Sequence, residues 1–252
     1  MLFSDLHIHT VMSGHAFCTV NECIKAAQNN KLSLIAITDH GPSMEHAAHE
    51  GYFEMSARLP KSFGRLNVLF GCEANIIDRE GNVDLSINTM SGLDVVLAGI
   101  HEKTPYNGNS ETDNTNALIN AIRRNPGINI ISHPFRPGFP ITIAEVVYAS
   151  IEYNVLLEIN TAVLMNAFMN PKTGKNTAVI KRTAEMVDIL QSNERGYVIG
   201  SDAHHSSEIG VCDSVLGVLS KELGISLEYV LNDKPGLLNE YIPAVRTGRD
   251  AK

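Results

Sequence analysis

Seven short runs of Val, Ile, Leu and Ala recur along the chain, and most of them close on a histidine or carry a carboxylate near their end. They span residues 2–9, 33–40, 66–74, 94–101, 128–134, 155–161 and 197–204. Most are almost continuously apolar, as parallel strands covered on both faces must be. Between them lie stretches of helical periodicity, and that alternation specifies βα units rather than a sandwich. A chain of 252 residues with 44% hydrophobic content supplies one large core. A single α/β barrel of roughly 200 to 250 residues is an ordinary size. One domain over residues 1–252 is the expectation, with no repeat or Pro/Gly/Ser linker to divide it.

The clearest helix start is Thr19-Val20-Asn21-Glu22, a capping box in which threonine and glutamate satisfy exposed backbone N–H groups. Further helices are expected over 116–124, 143–153, 176–191 and 226–231. Residues 78–82 (DREGN) read as the turn of a small hairpin after the third strand. Residues 162–176 form a long connection mixing Met and Phe with Lys, readable as core packing or as a flap over substrate.

Cys18, Cys23, Cys72 and Cys212 lack C-x-x-C spacing and read as small buried hydrophobes of a reducing, cytoplasmic compartment. No apolar run reaches the ~18 residues of a membrane span. A net charge of −8 argues against long nucleic acid, whose binding depends on Lys and Arg neutralising phosphates. Small anions remain open, because buried metal ions supply local positive charge inside an acidic protein.

Side chains at i and i+2 of a strand share a face, so His7 and His9 in DLHIHT can grip one ion while Leu6 and Ile8 face the other way. The same reasoning pairs Asp202 with His204 in GSDAHH. His40, His101 and His133 each close a strand, Glu73 lies near the end of the third, and His15 follows the first. All fall on one rim of a barrel. One such histidine is usually a hydrogen-bonded structural residue, but six of ten closing strands on one rim form a pattern. His46 and His49 read as solvated, and His205 as facing away. Imidazole and carboxylate donors without thiolate suit Zn, Mn or Fe. Nine candidate donors exceed what one ion accepts.

These motifs, DLHIHTVMSGHAFCT, AITDHGPSMEHA, GCEANI with DREGNVD, LAGIHE, ISHP, LEIN, GSDAH and VLNDKPGLLNEYI, resemble the PHP (polymerase and histidinol phosphatase) family almost end to end. The similarity is greatest to its stand-alone YcdX-like phosphatases. The resemblance implies a distorted TIM-like (β/α)7 barrel and three divalent metal ions, with zinc expected and manganese or iron as alternatives. It implies one ion on His7, His9, Glu73 and Asp202, a second on Glu73, His101 and His133, and a third on His15, His40 and His204. Glu73, Asp202 and His204 are the expected catalytic residues. Arg136, in the FRPGFP loop, is a candidate phosphate clamp, although a loop arginine is more often solvated.

Three divalent ions and two carboxylates leave about four surplus positive charges for hydroxide and phosphate. Metal-bound water with a pKa near ~7 supplies a nucleophile at neutral pH. The expected activity is hydrolysis of phosphate monoesters of small metabolites by that hydroxide at a trinuclear centre. A phosphodiesterase or oligonucleotide-trimming enzyme is the alternative, but it calls for a basic, aromatic-lined track that this composition does not favour. A non-catalytic metal-binding module is a third reading. A small phosphorylated substrate is the expected partner, no membrane is, and the chain is compatible with a homo-oligomer. Asn160 and Asp39 are candidates for orienting ligands, while Arg123, Arg124, Lys181 and Arg182 read as solvated helix faces.

Overall fold

Alternating apolar strands and amphipathic helices wind the chain into a nearly closed barrel, seen in a computed structural model that describes residues 2–170, 173–211 and 213–245. Its strands are β1 (Ser4–Ile8), β2 (Leu34–Ile37), β3 (Ser62–Phe63), β4 (Leu66–Asn75), β5 (Val95–Gly99), β6 (Ile130–Ile131), β7 (Leu156–Asn160) and β8 (Val198–Gly200). Seven run parallel in the order β1-β2-β4-β5-β6-β7-β8, and β3 turns back antiparallel on β4. This is the TIM-like (β/α)7 arrangement that the family resemblance implies, with the seven parallel strands that the run count predicts. The helices are α1 (Val20–Asn29), α2 (Glu50–Glu54), α3 (Ile87–Ser91), α4 (Glu111–Arg124), α5 (Ile143–Glu152), α6 (Thr161–Met169), α7 (Gly174–Ser192), α8 (Asp213–Leu223) and α9 (Pro235–Leu238). No helix among the described residues is long and apolar enough to cross a membrane.

Two layers fill the barrel. The lower one takes a buried apolar residue from each parallel strand: Leu6, Ala36, Leu69, Leu97, Ile130, Leu156 and Val198. Leu238, Ile242 and Val245 pack against these residues. Two residues further along β4, β5, β7 and β8 stand Gly71 and Glu73, Gly99, Glu158 and Gly200, where alternation again points inward. Glycine there is a matter of room. A Cβ on Gly99 would come within 2.9 Å of His133 Cε1, and one on Gly200 within 1.9 Å of a Glu158 oxygen.

In β1 strict alternation fails. Its pairing register shifts between Asp5 and Ile8, so Leu6 joins the interior layer although its neighbour His7 also reaches inward. Ile8 packs outside with Cys23 and Ile24 of α1. The expectation that Leu6 and Ile8 share an outward face is therefore corrected for Leu6.

β1 and β8 meet without a regular ladder. One bridge, Ile8 to Ala203, joins them. Below it the Asn232 side chain accepts from Ile199 N–H at 2.8 Å and donates to the carbonyls of Ile199 and Ser4 at 2.9 and 3.1 Å. The buried Asp5 carboxylate accepts from Ser201 N–H and Gly210 N–H across the same gap, at 3.1 and 2.8 Å.

The capping box of Thr19 and Glu22 forms. Ile76 and Val83 pair antiparallel across the 78–82 turn. α4 starts earlier than its apolar periodicity, because Ser110 caps it. No helix forms over 226–231; a turn leads Val230 into a bridge with Tyr197, whose ladder bond overrides local propensity. The 162–176 connection holds most of α6 and the start of α7, with Leu164 and Ala167 buried and Met169 exposed. Its residues 171 and 172 lie outside the described residues.

Candidate metal centre

All nine donors read from the sequence meet at the carboxyl-end rim, mostly in the turns just past the strands. His7 belongs to β1 and Glu73 to β4; His9, His40, His101, His133, Asp202 and His204 follow their strands directly. The histidine rings of His7 and His9 lie 4.9 Å apart, as their i, i+2 spacing predicts. Asp202 and His204 come together for a different reason. Asp202 is left-handed, with φ 54, and its carbonyl accepts from His204 Nδ1 at 2.9 Å, so a turn rather than strand alternation joins them. His15 stacks between His40 and His204, ring centroids 5.0 and 4.9 Å away.

Glu73 is the hub. Its Oε1 lies 2.8 Å from His133 Nε2 and 3.1 Å from His101 Nε2, while Oε2 lies 2.9, 3.3 and 3.4 Å from nitrogens of His40, His7 and His9. Asp202 Oδ1 approaches His9 Nε2 at 3.1 Å and His7 Nε2 at 3.5 Å. Three sets bring one donor atom each close enough for a single ion: His7, His9 and Asp202; His9, His40 and His204; His40, Glu73 and His101.

Behind the donors stands a polar network that fixes which imidazole nitrogen faces the centre. His7 Nδ1 bonds Glu158 Oε1 at 2.7 Å and His9 Nδ1 bonds Ser13 Oγ at 2.9 Å, so both Nε2 atoms point inward, 3.0 Å apart. A carboxylate or hydroxyl on the rear nitrogen is the usual means of presenting a lone pair to a metal. Ser13 Oγ in turn donates to Asp39 Oδ1 at 2.7 Å and accepts from His40 N–H at 3.1 Å. Asp39 also takes Thr10 N–H and Tyr52 O–H, at 2.6 and 2.9 Å. It thus orients ligands without facing the centre. Asn160 donates to Glu158 Oε2 and Asp202 Oδ2, both at 3.1 Å, while its Oδ1 caps α6.

Electrostatically the cluster is built to hold cations. Burial pushes the Glu73 and Asp202 carboxyls up, yet the surrounding imidazoles, His101 and His7 foremost for Glu73 and His7 for Asp202, hold both well below the usual range. Burial likewise opposes a proton on His7, but Glu158, Glu73 and Asp202 outweigh it and keep that ring well above its ordinary value. His9 is raised to about 9 against burial, chiefly by its hydrogen bonds to Asp202 and Glu73. Burial lowers His101 to about 4 and His40 well below 6.5.

The donor set fits metal ions. Glu73 Oε2 and His40 Nδ1 are buried without a hydrogen bond, although they lie 2.9 Å apart. Buried polar atoms are normally paired. Convergent lone pairs on imidazole and carboxylate, with no apolar filling, meet the need of a divalent ion for such partners.

Other expectations resolve simply. His46, His49 and His205 are exposed; His49 precedes α2 without a side-chain capping bond, and His205 forms a capping box with Glu208. Arg136 is half-buried, its backbone N–H on the His133 carbonyl at 3.1 Å and its charge close enough to oppose a proton on His101. Arg123, Arg124 and Lys181 are exposed, and Arg182 pairs with Glu111 at 3.6 Å. Cys18, Cys23 and Cys72 are buried and free; Cys212 lies outside the described residues. The sequence reading missed Glu158, Asp5 and Ser13. For the two carboxylates the signal is present: an acid inside an apolar strand run must find a partner.

A fold and a rim of this kind define a metallohydrolase-type barrel, and the chain belongs to the PHP-domain family. The family's model, described as PHP domain, matches residues 5–125. A probable phosphatase of Thermoanaerobacter sp. (strain X514) is 37% identical over 243 residues, covering 96% of this chain and 94% of its own. One of Proteus mirabilis (strain HI4320) is 35% identical over 242 residues, covering 95% and 94%. Among solved structures, the histidinol phosphate phosphatase of Lactococcus lactis subsp. lactis Il1403, complexed with zinc, L-histidinol and phosphate, shares the fold. It has a TM-score of 0.59 at 16% identity and covers 88% of this chain and 94% of that one.

Proposed function

We propose that this metal-dependent phosphoesterase hydrolyses phosphate monoesters of small metabolites at a trinuclear centre. One observation carries the reading: the two oxygens of Glu73 face different histidine sets, His101 and His133 on one side and His7, His9 and His40 on the other. That geometry supports Glu73 as a bridge. In this reading His7, His9, Glu73 and Asp202 hold one ion, Glu73, His101 and His133 a second, and His15, His40 and His204 a third. Bound ions supply the positive charge that draws in a phosphate and the acidity that yields a hydrolytic nucleophile at neutral pH.

The protein's own groups then position and exclude. Asp202 and His204, joined through the turn at Asp202, stand at the more open side of the rim, at 16% and 27% side-chain exposure, where substrate enters. Arg136, whose charge reaches His101, would offer its planar fork to the phosphate oxygens. The apolar layer of Leu6, Leu97 and Leu156 closes the floor against water. The names of the phosphatase relatives, and the zinc and phosphate of the Lactococcus enzyme, support this class of chemistry.

Metal content by mass spectrometry, paired with aryl phosphate hydrolysis before and after chelation and metal restoration, tests the proposal. About three ions per chain are expected, with chelator-sensitive turnover that is lost in folded His9→Ala and Asp202→Ala proteins. Absence of metal, or bound metal with no turnover of any phosphoester, overturns it.

A further inference from the structure

Glu158 is a buried carboxylate that offers no oxygen to the centre, and yet four barrel positions converge on it. Its Oε1 accepts from His7 Nδ1 at 2.7 Å. Its Oε2 accepts from the His133 N–H at 2.9 Å and from Asn160 Nδ2 at 3.1 Å. Gly200 makes the room, since a Cβ there would stand 1.9 Å from Oε1 and 3.0 Å from His7 Cβ. His133 has φ 29, a conformation that side chains resist, and Oε2 is the acceptor that holds its N–H.

We propose that Glu158 is a positioning residue that organises two metal subsites at once, one through each oxygen: the His7 ring on one side, the His133 backbone on the other. The proposal rests on the assignment of His7 and His133 to separate ions made above. A neutral imidazole carries one ring proton. With that proton on Nδ1 and held by Oε1, His7 Nε2 presents a bare lone pair towards His9 Nε2 and Glu73 Oε2, at 3.0 and 3.3 Å.

An amide at position 158 separates the two tasks. It has a single acceptor oxygen, whereas two donors, His133 N–H and Asn160 Nδ2, face the Oε2 position and one faces Oε1. The amide oxygen therefore settles at Oε2, and its NH2 points at His7 Nδ1. His7 must then accept at Nδ1 and carry its proton on Nε2, the atom that would bind the ion. Glu158→Gln thus disables the His7 subsite and spares the His133 subsite.

The test is a zinc titration of chelated wild type and Glu158→Gln against a chromophoric chelator, with melting temperatures and circular dichroism measured alongside. One ion is expected to bind about 10- to 100-fold more weakly while the others change by less than about threefold. In a His7→Ala background, Glu158→Gln is expected to add no loss at that ion, because the effect acts through His7. The proposal is overturned if Glu158→Gln binds every ion as wild type does, or if all ions weaken evenly as stability falls, or if the loss persists undiminished in the His7→Ala background. Wild type that takes up no zinc overturns the metal-centre reading, and this proposal with it.

Discussion

Removing one oxygen atom, in Ser13→Ala, tests how the centre is held. Ser13 Oγ is fully buried and serves three partners: it donates to Asp39 Oδ1 at 2.7 Å and accepts from His9 Nδ1 at 2.9 Å and from His40 N–H at 3.1 Å. Because the serine proton is committed to Asp39, His9 must donate from Nδ1, which leaves its Nε2 lone pair for an ion. Alanine strands the two nitrogen donors, while Asp39 Oδ1 keeps the Thr10 N–H at 2.6 Å. Each stranded buried donor costs about 1–3 kcal/mol, so the chelated protein is destabilised by about 2–6 kcal/mol. For a domain of this size that lowers Tm by at least about 4 °C. Loss of the His9 orientation weakens zinc by about 10- to 100-fold. Scanning calorimetry of chelated protein and chelator competition measure the two effects. A variant that melts with wild type and binds zinc as tightly would refute the reasoning, because Ser13 would then neither be satisfied by nor orient the groups around it.

Metal loading is expected to expel a proton. His9 is held at about 9, so its ring is charged in chelated protein near neutral pH, and its Nε2 proton faces the His7 Nε2 lone pair at 3.0 Å. About one proton leaves His9 as ions bind, and titration calorimetry in buffers of different ionisation enthalpy should give different heats; identical heats contradict it. The raised value also means that chelated protein draws stability from the His9 ring in full below pH 6.5 and loses it as pH climbs through about 9, visible as a falling Tm across that window. Cys23 is fully buried and burial raises its thiol to about 12, so it should react with a thiol reagent only as fast as the protein opens; labelling at the rate of a free thiol excludes the packing described. Tyr52→Phe removes one donor from Asp39 Oδ2, which keeps Thr10 Oγ1 at 2.8 Å. The expected loss is only about 0.5–1.5 kcal/mol by denaturant unfolding, and a much larger loss would mean that Asp39 depends on Tyr52 alone.

Much of the centre is legible in the sequence because an ionisable residue that ends an apolar run is conspicuous. His40, His101 and His133 announce themselves in this way, and strand alternation pairs His7 with His9. Where the backbone leaves regular geometry the reading weakens. The left-handed Asp202 and the register shift in β1 answer to tertiary contacts, so alternation alone misplaces Leu6 and gives the wrong reason for Asp202 and His204. Ser13 lies in a loop, and its value arises from His9, Asp39 and His40 meeting around it, which no local pattern encodes. α8 is a different case. Leu216, Leu219 and Leu223 carry helical spacing and are buried, so its signal was available in the 213–223 segment despite Gly217.

The seam between β1 and β8 gives the rim a mechanical meaning. Where a closed barrel would run a ladder, this one has a single bridge and the side chains of Asn232 and Asp5. His7 and His9 stand on one lip, and Asp202 and His204 on the other. An ion gripped from both lips is a rivet through the join, so letting go of that ion and unzipping the cylinder become a single event. Amide hydrogens of β1 and β8 should then gain more protection on metal loading than those of β5, which has ladder partners on both sides without an ion. Equal gains in all three strands would show that the join holds without its rivet.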